Sequence, residues 1–233
     1  MKDPKVLLSA LLEKQNELNN LTNGEEWTSG FTNIGKVINW DRCMYMESCE
    51  LMDSFPWKHW KDVSKFPDLD NARIEVVDLW HFLLSKTITL GAEDQVLHAI
   101  TGMKTNAVST QVQIGSNLIL ELNDSFLRAI NGPDVVELMN RLIELQAALG
   151  MSLKEVHDLY MIKNFLNRFR QENGYAEGTY IKHFNVTVNG ELSTWEDNTL
   201  LVKYVDKEKD LELGITKFKE AYKAYDPKVG ITI

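Results

Sequence analysis

Ile74-Glu75-Val76-Val77-Asp78-Leu79-Trp80-His81-Phe82-Leu83-Leu84 decides how this chain folds. Glu75 and Asp78 stand three residues apart among side chains that are almost all apolar. On a helix that spacing puts both carboxylates on one face. Apolar residues around most of the circumference mean that the helix is expected to be buried. A buried carboxylate without a partner is costly, so it takes up a proton, pairs with a cation or holds a metal.

Working outward, Glu47-Ser48-Cys49-Glu50 repeats the i,i+3 acidic spacing on a helix expected over Trp40 to Asp53, stopped by Ser54-Phe55-Pro56. Two such pairs on two helices supply four carboxylates to one cation cluster. Hard oxygen donors with no neighbouring pair of cysteines or histidines favour magnesium over zinc, and magnesium carboxylate sites go with phosphate substrates. Solvated surface pairs have the same spacing. That reading is equally good for Glu47 and Glu50 taken alone, and weaker for Glu75 and Asp78 in their apolar setting.

Helical periodicity dominates the rest of the chain. Leu7, Leu8, Leu11, Leu12 and Leu18 form a stripe ending near Thr22-Asn23-Gly24. The acidic helix is expected over Asn71 to Lys86, short helical pieces around Gly91, Gly102 and Gly115, and longer helices over Ser116 to Asn131 and Asp134 to Leu149. Ser152 and Glu155 form a capping box for a helix from Leu153 to Gln171, and a last helix is expected over Lys207 to Ala224. One stretch alternates instead: Phe184 to Val188 and Glu191 to Trp195 flank Asn189-Gly190, the strongest short hairpin signal. The expected architecture is therefore all-α, a multi-helix bundle with a short hairpin near 184–195. It reads as one domain over 1–233 with a variable helical lobe at about 90–132.

Composition sets the outer limits. The 233 residues are 44% hydrophobic and 25% charged, ordinary for a globular protein with its own core. A formal net charge of −9 argues against a general nucleic-acid backbone binder, but leaves room for a nucleotide held by a local cation cluster. Cys43 and Cys49, six apart on one expected helix, would lie roughly 9 Å apart along its axis, too far for a disulfide. Reduced thiols, the lack of a signal-like N-terminus and the lack of a membrane-spanning run lead to the expectation of a cytoplasmic protein.

Three further groups have chemical potential. Gln15 and Asn19 continue the stripe of Leu8 and Leu12, and a carboxamide offers both donor and acceptor, as reading a base edge requires. Amides at a frayed helix end are the better reading from periodicity alone. Lys163, Asn167 and Arg170 extend the line of Val156 and Tyr160, giving either an inward anion pocket or a solvated basic face shared with Lys154 and Arg168. Trp57, His59 and Trp60 follow Pro56, and His81 lies one turn beyond Asp78 beside Phe82. Indoles near a phosphate site can stack on a base, although such tryptophans and lone helical histidines more often serve the core.

Taken together, these segments resemble the dimeric, all-α dUTPase family within the MazG-like nucleoside triphosphate pyrophosphatases. The resemblance is carried by Glu47-Ser48-Cys49-Glu50 and Glu75-Val76-Val77-Asp78, by Ser54-Phe55-Pro56-Trp57-Lys58-His59-Trp60-Lys61, and by Asp78-Leu79-Trp80-His81-Phe82. Gln15-x-x-Leu18-Asn19, Thr22-Asn23-Gly24-x-x-Trp27, Lys163-Asn164-Phe165-Leu166-Asn167, Phe169-Arg170-Gln171, Gly174-Tyr175, Gly178-Thr179-Tyr180 and Glu196-Asp197-Asn198 add to it in order. The acidic motifs alone indicate the broad superfamily, whereas the Trp-Lys-His-Trp-Lys, Phe-Arg-Gln and Glu-Asp-Asn segments point to dUTPases.

The resemblance implies magnesium-dependent hydrolysis of dUTP, and of dUDP as a second substrate, to dUMP. Attack would fall on the β-phosphorus. Glu47, Glu50, Glu75 and Asp78 would hold the metal, with Glu47 or Glu50 also orienting or deprotonating the water. Lys163, Arg170 and Lys182 would contact phosphates, with Tyr180 and Asn198 close by, and Gln15, Asn19, Trp60, His81, Phe82 and Asn198 would contact the nucleoside, with Trp60 or Phe82 stacked on uracil. A homodimer is implied, with no nucleic-acid or membrane partner. Alternatives are a related pyrophosphatase for another nucleotide such as dCTP, or a helical dimer that binds a regulator. The stretch from Tyr180 to Glu196 is longer than the compact family version, which bears on Lys182 and Asn198, and Leu90 to Gly132 carries no matching motif.

Overall fold

Apolar periodicity builds the helices, and short polar side chains set where they begin. The computed structural model describes residues 3–61, 64, 66–103 and 116–233. In the first part of the chain the helices are α1 (Pro4–Asn23), α2 (Trp40–Asp53), α3 (Leu69–Thr89), α4 (Glu93–Ala99), α5 (Ser116–Ile130), α6 (Val135–Ala148) and α7 (Leu153–Glu172). Asp3, Asn39, Asp68 and Asp134 cap α1, α2, α3 and α6 by accepting hydrogen bonds from backbone N–H groups of the first turn. The capping box of α7 is reciprocal: Glu155 N–H donates to Ser152 Oγ at 3.3 Å, and Ser152 N–H donates to Glu155 Oε2 at 2.7 Å. The helical piece expected around Gly115 lies outside the described residues, as does the middle of the 90–132 segment.

Contacts along the backbone cluster into two compact units, Met1–Tyr160 and Met161–Ile233, with α7 passing through the boundary. In the first unit α3 is the central element, packed by α1, α2 and α6. Val76, Val77, Leu79, Trp80, Leu83 and Leu84 are buried along it, as the apolar sequence requires. α3 runs three residues beyond the expected Lys86, and in that last turn Thr87 and Thr89 satisfy their hydroxyls on the carbonyls of Leu83 and Ser85. Trp80, fully buried, satisfies its indole N–H by donating to Gln146 Oε1 on α6 at 2.7 Å.

The second unit contains the end of α7, a hairpin and two more helices. Strands β1 (His183–Val188) and β2 (Glu191–Glu196) pair antiparallel, with Val188 opposite Glu191. Asn189 and Gly190 make the two-residue turn at φ of 51° and 86°, the positive angles such a turn demands. Phe184 and Val186 turn inward from β1, and Phe184, Phe218, Tyr222 and Tyr225 meet edge to face around it. A two-residue β3 (Ile231–Thr232), too short to leave a sequence signal, runs parallel to β1 on its other side.

The helix expected over 207–224 begins later, as α9 (Leu211–Ala224), and a helix the sequence reading did not expect, α8 (Asp197–Glu208), precedes it. Lys209 takes a left-handed conformation at φ 54° and ends α8, and Asp210 starts α9 by accepting from Leu213 N–H at 2.8 Å. At the α8–α9 contact, a Cβ on Gly214 would lie 2.6 Å from Val205 Cα and 2.8 Å from Val205 N. Gly214→Ala would gain about 1 kcal/mol of helix propensity, but the new methyl meets backbone that cannot rotate away. The variant is expected to lose about 1–3 kcal/mol in chemical denaturation; unchanged or higher stability would show that the two helices separate freely.

Candidate active site

α2 and α3 lie side by side, and their acidic residues meet. One carboxylate oxygen from each of Glu47, Glu75 and Asp78 falls within 4.8 Å of the others. Glu75 is buried, while Glu47 and Asp78 are half-buried. Glu50, the fourth expected ligand, is exposed and stands outside this group of three, though its charge still reaches Glu47. The i,i+3 spacing therefore unites the α3 pair with one member of the α2 pair.

Crowding has an electrostatic consequence. The Glu47 carboxyl is pushed up to about 8, first by burial, then by the charges of Asp78, Glu75 and Glu50, and last by a hydrogen bond with Glu75. A site that holds a proton at neutral pH because burial and surrounding anions oppose its charge is one that a divalent cation would relieve. The donors are all carboxylate oxygens, which suits a hard ion such as magnesium. On both counts the residues fit such a metal.

Gln15, Asn19 and His81 come together with Ser85 and Tyr160. Gln15, Asn19 and His81 are buried, and the amides bond to neighbours instead of fraying at a helix end. Gln15 Nε2 donates to Asn19 Oδ1 at 3.0 Å, and Asn19 Nδ2 donates to Ser85 Oγ at 2.9 Å. Gln15 Oε1 lies 2.7 Å from His81 Nδ1 and accepts from Tyr160 Oη at 2.5 Å. The His81 and Tyr160 rings stack with centroids 4.0 Å apart. Sequence reasoning missed Ser85 and Tyr160; their only signals were a hydroxyl in an apolar helix and a tyrosine on the stripe leading to Lys163.

The expected base-stacking residues differ in setting. Phe82 stacks against Trp40 with centroids 6.2 Å apart, so one of its faces is already covered. Trp60 is 62% exposed and meets Trp57 and His59 edge to face. A cavity of about 590 Å³ is lined by residues of the same stretch, among them Asp53, Phe55, Lys58, Lys61 and Phe66, but by neither Trp60 nor any of the clustered carboxylates.

In the second unit the organising residue is Asp197, which the sequence reading passed over as part of a motif. Arg170 donates to it through Nε at 2.8 Å and Nη2 at 2.7 Å, Tyr180 Oη donates at 2.9 Å, and Asn198 N–H at 2.9 Å. Asp197 is fully buried, so this pairing compensates its charge. Burial and the Asp197 carboxylate together hold the Tyr180 phenol far above its usual range. Lys182 pairs with Glu196 at 3.2 Å, and Lys163 sits on α7. Arg170 is thus anchored by one side of its guanidinium, a firmer tie than a solvated basic face would give.

A family model described as dUTPase matches residues 7–175. That span takes in the acidic pairs, the buried amide network, Lys163 and Arg170, and ends before Tyr180, Lys182 and Asn198. No curated protein matches the chain.

The raised Glu47 carboxyl makes a prediction for the metal-free protein. In the unfolded chain it ionises near 4.5 and in the folded chain near 8, so between these values unfolding releases a proton. Stability then falls as pH rises through that window and levels off above it. Melting curves in chelator should show wild type losing stability relative to Glu47→Gln from about pH 4.5 to about pH 8. Parallel curves would contradict the crowded-carboxylate description.

Proposed function

The chain belongs to the all-α dUTPase family and is a dUTP diphosphatase; from that premise we propose that it hydrolyses dUTP to dUMP and pyrophosphate with magnesium held at the α2–α3 carboxylates, and accepts dUDP as well. The observation that carries this reading is the convergence of Glu47, Glu75 and Asp78 within 4.8 Å, inside the span matched by the family model. Magnesium bound there would supply a water of lowered pKa and offset negative charge on the phosphates.

The chain's own groups take the remaining roles. Glu47, Glu75 and Asp78 fix the position of the cation. Glu50, exposed and outside the group of three, is the carboxylate left to accept a proton from the attacking water. Lys163 and Arg170 contact phosphate oxygens, Arg170 through the donors not spent on Asp197. Lys182 extends that set, with Tyr180 and Asn198 close by, on the strength of the residue-level resemblance. Gln15, Asn19 and His81 read the uracil edge, and Trp60 or Phe82 stacks on the ring. The reading carries with it a homodimer, a cytoplasmic setting and a single catalytic domain, with no nucleic-acid or membrane partner. No helix among the described residues is long and apolar enough to cross a membrane.

Pyrophosphate release from dUTP, UTP, dTTP and dCTP at equal concentrations tests the assignment. Strong preference for dUTP, abolished by chelator and restored by magnesium, is expected; broad or dCTP-centred release would reject the specificity. Glu75→Gln and Glu50→Gln should each lower kcat by about 10²–10³-fold in protein that still folds. Near-normal turnover by a folded Glu50→Gln would remove Glu50 from the mechanism.

A further inference from the structure

The buried amide network has a direction, and the direction ends at the ring of His81. Ser85 Oγ lies 2.8 Å from the carbonyl oxygen of His81 on the preceding turn. Two oxygens at that distance need a proton between them, and a carbonyl has none to give. The Ser85 hydroxyl proton is therefore committed to His81 O, so Ser85 Oγ must accept from Asn19 at 2.9 Å. That fixes Asn19 with Nδ2 toward Ser85 and Oδ1 toward Gln15.

Asn19 Oδ1 in turn needs a donor, which fixes Gln15 with Nε2 toward it at 3.0 Å. Gln15 Oε1 then faces both Tyr160 Oη and His81 Nδ1. An amide oxygen 2.7 Å from a ring nitrogen requires the proton to be on that nitrogen. In the neutral ring Nδ1–H leaves Nε2 with a lone pair. The opposite arrangement would flip both amides, turn the Ser85 proton toward Asn19, and leave Ser85 Oγ facing the His81 carbonyl with no proton between them. All five groups are enclosed: Gln15, Asn19, Ser85, His81 and Tyr160 are buried, so water is poorly placed to rescue that arrangement.

We propose that Ser85, acting through Asn19 and Gln15, is a positioning residue that locks His81 as the Nδ1–H tautomer, so that Nε2 meets the base as an acceptor and selects uracil over cytosine. The selection follows from base chemistry. Uracil has one donor on its pairing edge, N3–H, whereas cytosine in the same pose turns a lone pair at N3 toward the Nε2 lone pair. This rests on the proposed contact of His81 with the base, while the tautomer itself depends only on the hydrogen-bond network.

Two readouts on the full-length chain separate those layers. Long-range ¹H–¹⁵N spectra of the imidazoles, with His81 assigned by comparison with His81→Gln, should show His81 protonated at Nδ1 and pyridine-like at Nε2. A protonated Nε2, in either the other tautomer or an imidazolium, overturns the lock. The kcat/KM ratio for dUTP over dCTP should fall about tenfold or more in Ser85→Ala, and Ser85→Thr, which keeps the hydroxyl, should stay closer to wild type. An unchanged ratio in a folded Ser85→Ala would overturn the role in selection even if the tautomer is as described. If wild type itself fails to prefer dUTP, the proposed function fails, and the spectrum still decides the lock.

Discussion

Carboxylate crowding between α2 and α3 is the constraint on which the rest of the site depends. Burial, together with repulsion among three acidic side chains whose oxygens lie within 4.8 Å, holds Glu47 protonated up to about 8. Desolvation and like charge both oppose the ionised form, so the arrangement is costly for the protein alone. It becomes favourable when a cation shares the charge. The apolar body of α3 supplies the rigidity that such an arrangement needs: Val76, Leu79, Trp80 and Leu83 bury the helix around Glu75 and Asp78.

The polar groups elsewhere follow the opposite logic. Gln15, Asn19, Ser85, His81 and Tyr160 are buried but joined to one another by hydrogen bonds of matched donors and acceptors. Asp197 is buried yet matched by Arg170, Tyr180 and a backbone N–H. Closed networks of this kind hold side chains in one orientation. A recognition site gains selectivity from that fixity, because a group which cannot rotate cannot adapt to the wrong base.

Much of this was legible from the sequence, for physical reasons that differ by element. The buried α3 could be read because its apolar residues encircle the helix, and the hairpin because Asn189-Gly190 is a turn whose geometry few other pairs adopt. The α7 start was visible as Ser152 and Glu155, and both bonds of the box form. What escaped depended on contacts far apart in the chain. Glu50 looks equivalent to Glu47 by spacing, yet only the facing of α2 against α3 decides which of them meets Glu75. Asp197 stands 27 residues from Arg170, and Ser85 stands 66 from Asn19; no local pattern announces either pairing. The α8–α9 break was hidden because Lys209-Asp210 reads as ordinary polar helix surface until Asp210 turns to cap Leu213.

Calorimetric titration of magnesium into metal-free protein near pH 7, in two buffers of different ionisation enthalpy, tests the central claim most directly. Glu47 still holds its proton there, since its carboxyl is raised to about 8. The account predicts that binding expels that proton, giving a heat that depends on the buffer, and that Glu47→Gln removes the dependence. Magnesium binding with no proton release, or no binding at all by folded protein, would contradict a shared cation at Glu47, Glu75 and Asp78.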